Sequence, residues 1–227
     1  MHELDRPIWG ALTTGHRAFA RGSALALRFD PAVSPFAACR DDGPEALAQL
    51  AALVPETGML VLLQAGEAPV PPGCAVGLAA RGVQLRLDRL RPPAPVPAAV
   101  ELGEGDLPEM LALTGLTKPG PFLPGTRRLG RFVGVRRDGR LAAMAGERLR
   151  PGGWTEISAV CTHPDFRGLG LAAQLSALVV EGILARGERP FLHAFADNEP
   201  AIRLYQRLGF VRRCEMSVLG LQRPTTS

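Results

Sequence analysis

The sequence predicts a mixed α/β protein built around a mixed sheet, and three observations predict it. Strand-length apolar runs and helix-period stretches succeed one another along the chain. Arg137-Asp138-Gly139 sits between two strand-like runs, a strong hairpin signal. A Gly-rich turn, Arg167–Ala172, joins a strand directly to a helix. With 46% apolar and 21% charged residues in 227, the chain buries a real core without staples.

The elements follow in order. Ile8–Ala20 is expected as a helix and Ala24–Phe29 as a strand. Glu45–Val54 reads as a short helix, with Asp42 and Gly43 ahead of it and Pro44 opening its first turn. Gly58–Gln64 is an apolar run of buried-strand length. Gly82–Leu87 is a further strand with Val83, Leu85 and Leu87 on one face. Arg91–Ala98 (RPPAPVPA) carries four prolines, which no helix interior or sheet ladder accepts, so it reads as an extended connector. The chain is therefore divided into an N-terminal α/β lobe (1–90), a Pro-rich connector (91–98) and a second domain (99–222).

Beyond the connector, Val100–Leu102 is a short strand, and Asp106 is expected to cap a helix running to about Thr114. A Pro- and Gly-rich loop, Lys118–Thr126, precedes the hairpin of Arg131–Arg136 and Leu141–Leu149. Trp154–Thr162 is the next strand and stops at Pro164. The helix after the Gly-rich turn extends to about Arg186, with Leu171, Leu175, Leu178, Val179 and Gly182 on one face. Phe191–Phe195 is a strand, Asn198 caps a short helix that Gly209 ends, and Val211–Leu219 closes the fold.

Composition narrows the function. Lys118 is the sole lysine among 26 basic residues, so a phosphate-loop or Schiff-base lysine is available nowhere else. The net charge of +4 is spread over scattered arginines with no interleaved aromatic run, and no nucleic-acid partner is expected. Cys39, Cys74, Cys161 and Cys214 form no CxxC pair, which suggests neither a disulfide framework nor a metal site. No apolar leader opens the chain and no apolar run spans a bilayer. No membrane partner and a cytoplasmic setting are expected.

Glycines at a strand-to-helix turn leave several backbone N–H groups uncovered, and a helix N-terminus of that kind binds phosphate or pyrophosphate. The pattern here is neither GxGxxG, since Ala173 takes the third place, nor the Walker loop. The continuation gives it weight. V-x-x-H-P-x-x-R-G-x-G-x-A at Val160–Ala172 is followed by N-x-x-A-x-x-L-Y-x-x-x-G-F at Asn198–Phe210. In these two motifs the chain resembles the GNAT superfamily of acyl-CoA-dependent N-acetyltransferases, over residues from about 98 to 220. Arg167, Gly170 and Ala172 match the superfamily's Gln/Arg-x-x-Gly-x-Gly/Ala motif, and EISAVCTHPDFRG resembles the branch containing the glycine N-acyltransferase C-terminal domain.

The resemblance implies a GNAT-like acyl-CoA N-acyltransferase fold with an additional N-terminal α/β lobe. It further implies acetyl-CoA as co-substrate without a metal, and transfer to a primary amine of a small molecule or peptide. Val160, Cys161 and Thr162 would offer backbone groups to the pantetheine arm and acyl carbonyl. The amides of Gly168, Leu169, Gly170, Leu171, Ala172 and Ala173 would hold the pyrophosphate, with Arg167 shaping the turn. Asn198 would contact the pantetheine arm, and Tyr205 would protonate the departing thiolate. Family sheets splay between the strands that here are Ile157–Thr162 and Phe191–Phe195, and the cofactor enters that gap.

An amine near its ordinary pKa needs a general base. Relatives often carry Glu on the fifth strand, where this chain has His193; Glu156, Glu147 and water are the rivals. The missing glutamate also motivates an alternative, a catalytically silent CoA-binding module. Arg127 and Arg128 could pair with an acceptor carboxylate or could be solvated surface. The lobe over 1–90 is open between a degenerate GNAT-like half, a lid and a homodimer surface.

Overall fold

The computed structural model describes residues 2–94 and 99–224. Helix α1 (Pro7–Thr13) opens on a proline whose fixed φ suits a first turn. It ends earlier than expected because Gly15 is drawn to another segment, its N–H donating to the Arg150 carbonyl at 3.3 Å. Arg17–Phe19 is consequently a 3₁₀ turn, leading into a three-stranded sheet of β1 (Ala20–Gly22), β2 (Ala26–Phe29) and β3 (Ala37–Cys39). Helix α2 (Pro44–Ala52) starts on Pro44 as expected and packs Ala46 and Leu50 against this sheet.

The second sheet has eight strands: β4 (Leu60–Ala65), β5 (Ala75–Leu87), β6 (Ala99–Glu101), β7 (Phe132–Arg137), β8 (Arg140–Glu147), β9 (Trp154–Thr162), β10 (Arg189–Phe195) and β11 (Phe210–Gln222). Their spatial order is β4-β11-β5-β10-β9-β8-β7-β6. All neighbours are antiparallel except β9 and β10, which are parallel across a helical crossover. The sheet therefore joins segments from both sides of the Pro-rich connector, whose residues 95–98 lie outside those described. The expected boundary does not divide it: β5 and β4, from before the connector, flank β11 from the far end of the chain.

Strands β7 and β8 meet at Asp138-Gly139, both at positive φ, the two-residue turn that the Asp-Gly pair favours. Helix α3 (Leu107–Thr117) packs Met110 and Leu113 over β8 and β9. Asp106 does not cap it; its Oδ2 accepts from the Gly103 N–H at 2.7 Å and its Oδ1 pairs with Arg136 at 2.5 Å. Helix α4 (Leu171–Ala185) buries Leu171, Leu175, Val179, Val180 and Ile183 against Val133, Ile157 and Leu192. The buried stripe follows the expected one but is centred on Val180 and Ile183 rather than Leu178 and Gly182. Each fully buried aliphatic chain there stabilises the fold by roughly 1.5–3 kcal/mol.

Helix α5 (Glu199–Arg207) carries the Asn198 cap, whose Oδ1 accepts from the Ala201 N–H at 3.2 Å. Gly209 follows at φ +98°, and a Cβ there would lie 1.8 Å from the Arg89 carbonyl oxygen. Gly209→Ala is expected to destabilise the protein by about 1–3 kcal/mol, from left-handed strain and this contact. In urea the midpoint should fall with the slope unchanged, and an unmoved midpoint would contradict the account.

Candidate active site

Strands β9 and β10 pair from Trp154↔Arg189 as far as Ile157↔Leu192 and then part. Beyond that point β10 continues to pair with β5, His193 opposite Gln84 and Phe195 opposite Gly82. On β9 the register against β8 shifts, Cys161 facing Met144 and Ser158 facing Gly146, with Ala159 at φ +52°. This bulge bends the strand and turns the backbone of Ser158–Val160 toward the gap. A cavity of about 210 Å³ occupies the gap; Ser158, Val160, His193, Asn198 and Tyr205 are among its lining residues.

At its floor the polar side chains form one chain of contacts. Glu156 is fully buried, and its two oxygens accept from Arg148, Nε at 2.8 Å and Nη2 at 2.7 Å. Oε1 also accepts from His193 Nδ1 at 2.6 Å. On the other side of the ring, Gln84 Nε2 donates to His193 Nε2 at 2.9 Å and to the Leu4 carbonyl at 2.9 Å, which fixes the amide's orientation and hence the imidazole's tautomer. Burial acts to raise the Glu156 pKa, but the charge and hydrogen bonds of Arg148, with His193, outweigh it and hold the carboxyl down to about 2.

The Tyr205 ring lines the cavity, and its hydroxyl has no protein hydrogen-bond partner among the described residues. Burial, with smaller contributions from Cys161 and Glu156, pushes that hydroxyl above its ordinary range, so it stays protonated. Cys161 packs among Met110, Leu113 and Met144, and burial raises its thiol to about 11. A thiol so held is a poor nucleophile. After β9, His163 accepts from the Asp165 N–H at 3.2 Å and shapes the turn. Gly168 and Gly170 then stand at positive φ, and a Cβ on either would meet nothing within 4 Å.

The FR47-like protein family model matches residues 132–218. The fold superposes with a TM-score of 0.92 on a crystal structure from Novosphingobium aromaticivorans assigned to the GNAT family of acetyltransferases. The two chains are 45% identical over 99% of this chain and 100% of the other. This chain belongs to the GNAT family. A GCN5-related N-acetyltransferase from Kribbella flavida shares the fold at a TM-score of 0.64 and 21% identity, covering 92% of each chain. Mycothiol acetyltransferase from Thermomonospora curvata is 35% identical over 77 residues, which are 34% of this chain and only 26% of that protein.

In this GNAT family member the structure brings Tyr205, His193, Glu156, Asn198 and the β9 backbone to one gap. It does not bring Glu147, which is bound by Arg186 Nη2 at 2.8 Å beside the end of α4. Arg127 and Arg128 are also elsewhere, the first 3.8 Å from Glu104 and the second stacked over Phe19 at 5.0 Å. Sequence reasoning missed Arg148 and Gln84. Arg148 had a readable signal, since it stands with Glu156 across the tight Pro151-Gly152-Gly153 turn. Gln84 had none, because its neighbour His193 is more than a hundred positions away. Also missed were Phe36, Val61 and Leu63, cavity residues from the part ahead of the connector. Among the described residues no cluster of three or more His, Cys, Asp or Glu could hold a metal ion, and no helix is long and apolar enough to cross a membrane.

Proposed function

We propose that this chain transfers an acetyl or other short acyl group from acetyl-CoA to a primary amine of a small molecule or peptide. The observation that carries this reading is the gap between β9 and β10, with free β9 backbone on one wall and the Tyr205 hydroxyl on the other. The residues present fit the donor. Gly168 and Gly170 leave open space before the first turn of α4, whose N–H groups have no helical partners and favour a pyrophosphate. In this reading Gly168, Leu169, Gly170, Leu171, Ala172 and Ala173 hold that group, and Arg167 shapes the turn. Val160, Cys161 and Thr162 meet the pantetheine arm and acyl carbonyl through their backbone, and Asn198 contacts the arm while capping α5.

Acetyl-CoA supplies an activated thioester. The chain's own part is to polarise the carbonyl with backbone N–H groups and to move two protons. As the amine nitrogen bonds to the carbonyl carbon, His193 takes the proton that nitrogen loses, directly or through a water, once Gln84 releases Nε2. As the C–S bond breaks, Tyr205 gives its proton to the sulfur and regains one from solvent. Glu156, ionised and fully engaged, is a positioning residue for His193 rather than the base. The narrower likeness to the glycine N-acyltransferase branch rests on residues 156–168, and a cytoplasmic setting is supported by four free cysteines.

One observation favours a second reading. Both His193 nitrogens already have protein partners, as suits a CoA-binding module without catalysis. Calorimetry with CoA and acetyl-CoA, followed by a transfer assay on a panel of amines, separates the two. The expected result is binding and turnover of at least one amine. Binding without transfer selects the silent module, and no binding rejects both.

A further inference from the structure

Resting on the proposed acyl transfer, we propose that Arg148 binds the carboxylate of the acceptor, and that the acceptor is an α-amino acid with an apolar side chain. The guanidinium is held along one edge and on one face. Glu156 takes Nε and Nη2, and one face lies over the Phe36 ring at 4.7 Å. Its backbone is clamped as well: the Arg148 carbonyl meets His16 Nε2 at 2.6 Å and its N–H donates to the Glu156 carbonyl at 3.0 Å. Nη1 remains, with no protein partner among the described residues, on a side chain that is only 11% exposed and lines the cavity. Gly120 leaves room in front of it, since even a Cβ at that position would stand 3.8 Å from Nη1.

A guanidinium fixed with one free edge inside an apolar cavity selects an oxygen acceptor, and a carboxylate gives the stronger, charge-assisted bond. The shared carboxylate points to the class. Glu156 Oε1 touches both Arg148 Nη2 and His193 Nδ1, at 2.7 and 2.6 Å, so the two side chains are anchored next to each other and both line the cavity. An acceptor that carries its amine and its carboxylate close together, as an α-amino acid does, suits two such neighbours. Val61, Leu63 and Val218 provide the apolar wall for the side chain.

The test compares matched acceptors with acetyl-CoA: L-leucine against isopentylamine, and L-phenylalanine against phenethylamine. Each acid should exceed its amine by about 10- to 100-fold in kcat/KM, through KM. Arg148→Lys keeps a charge for Glu156 but loses the fork, and should erase most of that preference. Folding is secured by a second variant, Arg148→Met with Glu156→Gln, which removes both buried charges and should also erase it. Equal use of acid and amine, or a preference that survives both variants, overturns the inference while leaving the transferase reading intact. Failure of every amine in the wild type instead counts against that reading. The subsite is then read by thermal shift with N-acetyl-leucine in the presence of CoA, where a stabilisation that Arg148→Lys does not reduce overturns it.

Discussion

Tyr205→Phe is expected to lower kcat about 100-fold while leaving CoA affinity largely intact. The size is that of a positioned proton donor removed from a transition state. The separation of effects follows from the geometry. The ring fills the cavity wall and packs near Phe210 at 6.1 Å between centroids, and phenylalanine keeps that shape. Only the hydroxyl is lost, and among the described residues it has no partner whose bond would be broken. Because burial keeps the hydroxyl protonated above the ordinary tyrosine range, the wild-type rate should show no alkaline fall from Tyr205 up to about pH 10. Pre-steady-state kinetics with CoA titration would check both halves. Weakened CoA binding with normal turnover would contradict the assigned role.

Glu156→Gln should cost about 3–5 kcal/mol of stability at neutral pH, since it leaves a buried Arg148 without its counter-charge. The pH dependence has a definite sign. The folded carboxyl lies at about 2 against 4.5 for the unfolded chain, so its contribution is complete above 4.5 and is lost as pH falls toward 2. The gap in stability between wild type and variant should therefore shrink across that window and stay constant above it. Urea midpoints measured at several pH values give the difference curve directly. A gap that stayed the same from pH 5 to pH 2 would mean that Glu156 is not held as an ion by Arg148.

The second half of the chain was largely legible because its signals are local. Asp138-Gly139 marks a hairpin by backbone preference alone, and Asn198, Pro200 and Gly209 bracket α5 by cap chemistry. The linear part of the proposed site, Arg167–Ala172 and Asn198–Tyr205, was visible for the same reason. What escaped was non-local. Nothing in GVQLRL distinguishes a strand of its own small lobe from one seated between β10 and β11, because both burials use the same alternation. Gln84 and Arg148 take their meaning from partners that pairing supplies. Helix α1 was overestimated because a distant carbonyl, Arg150, ends it.

The seat of β5 bears on how the protein comes to exist as it is synthesised. The strand is made well before both its neighbours in the sheet, β10 and β11. Pairing them closes a loop that contains the Gly-rich turn, α4 and most of the sheet, an entropic cost met late and slowly. Until β10 is made, the cavity lacks His193 beside Gln84, and until β11 follows, β5 keeps an unsatisfied edge. The geometry of the cavity is thus set only after β10 and β11 are made, and a product ending before them would be an open-edged sheet prone to self-association.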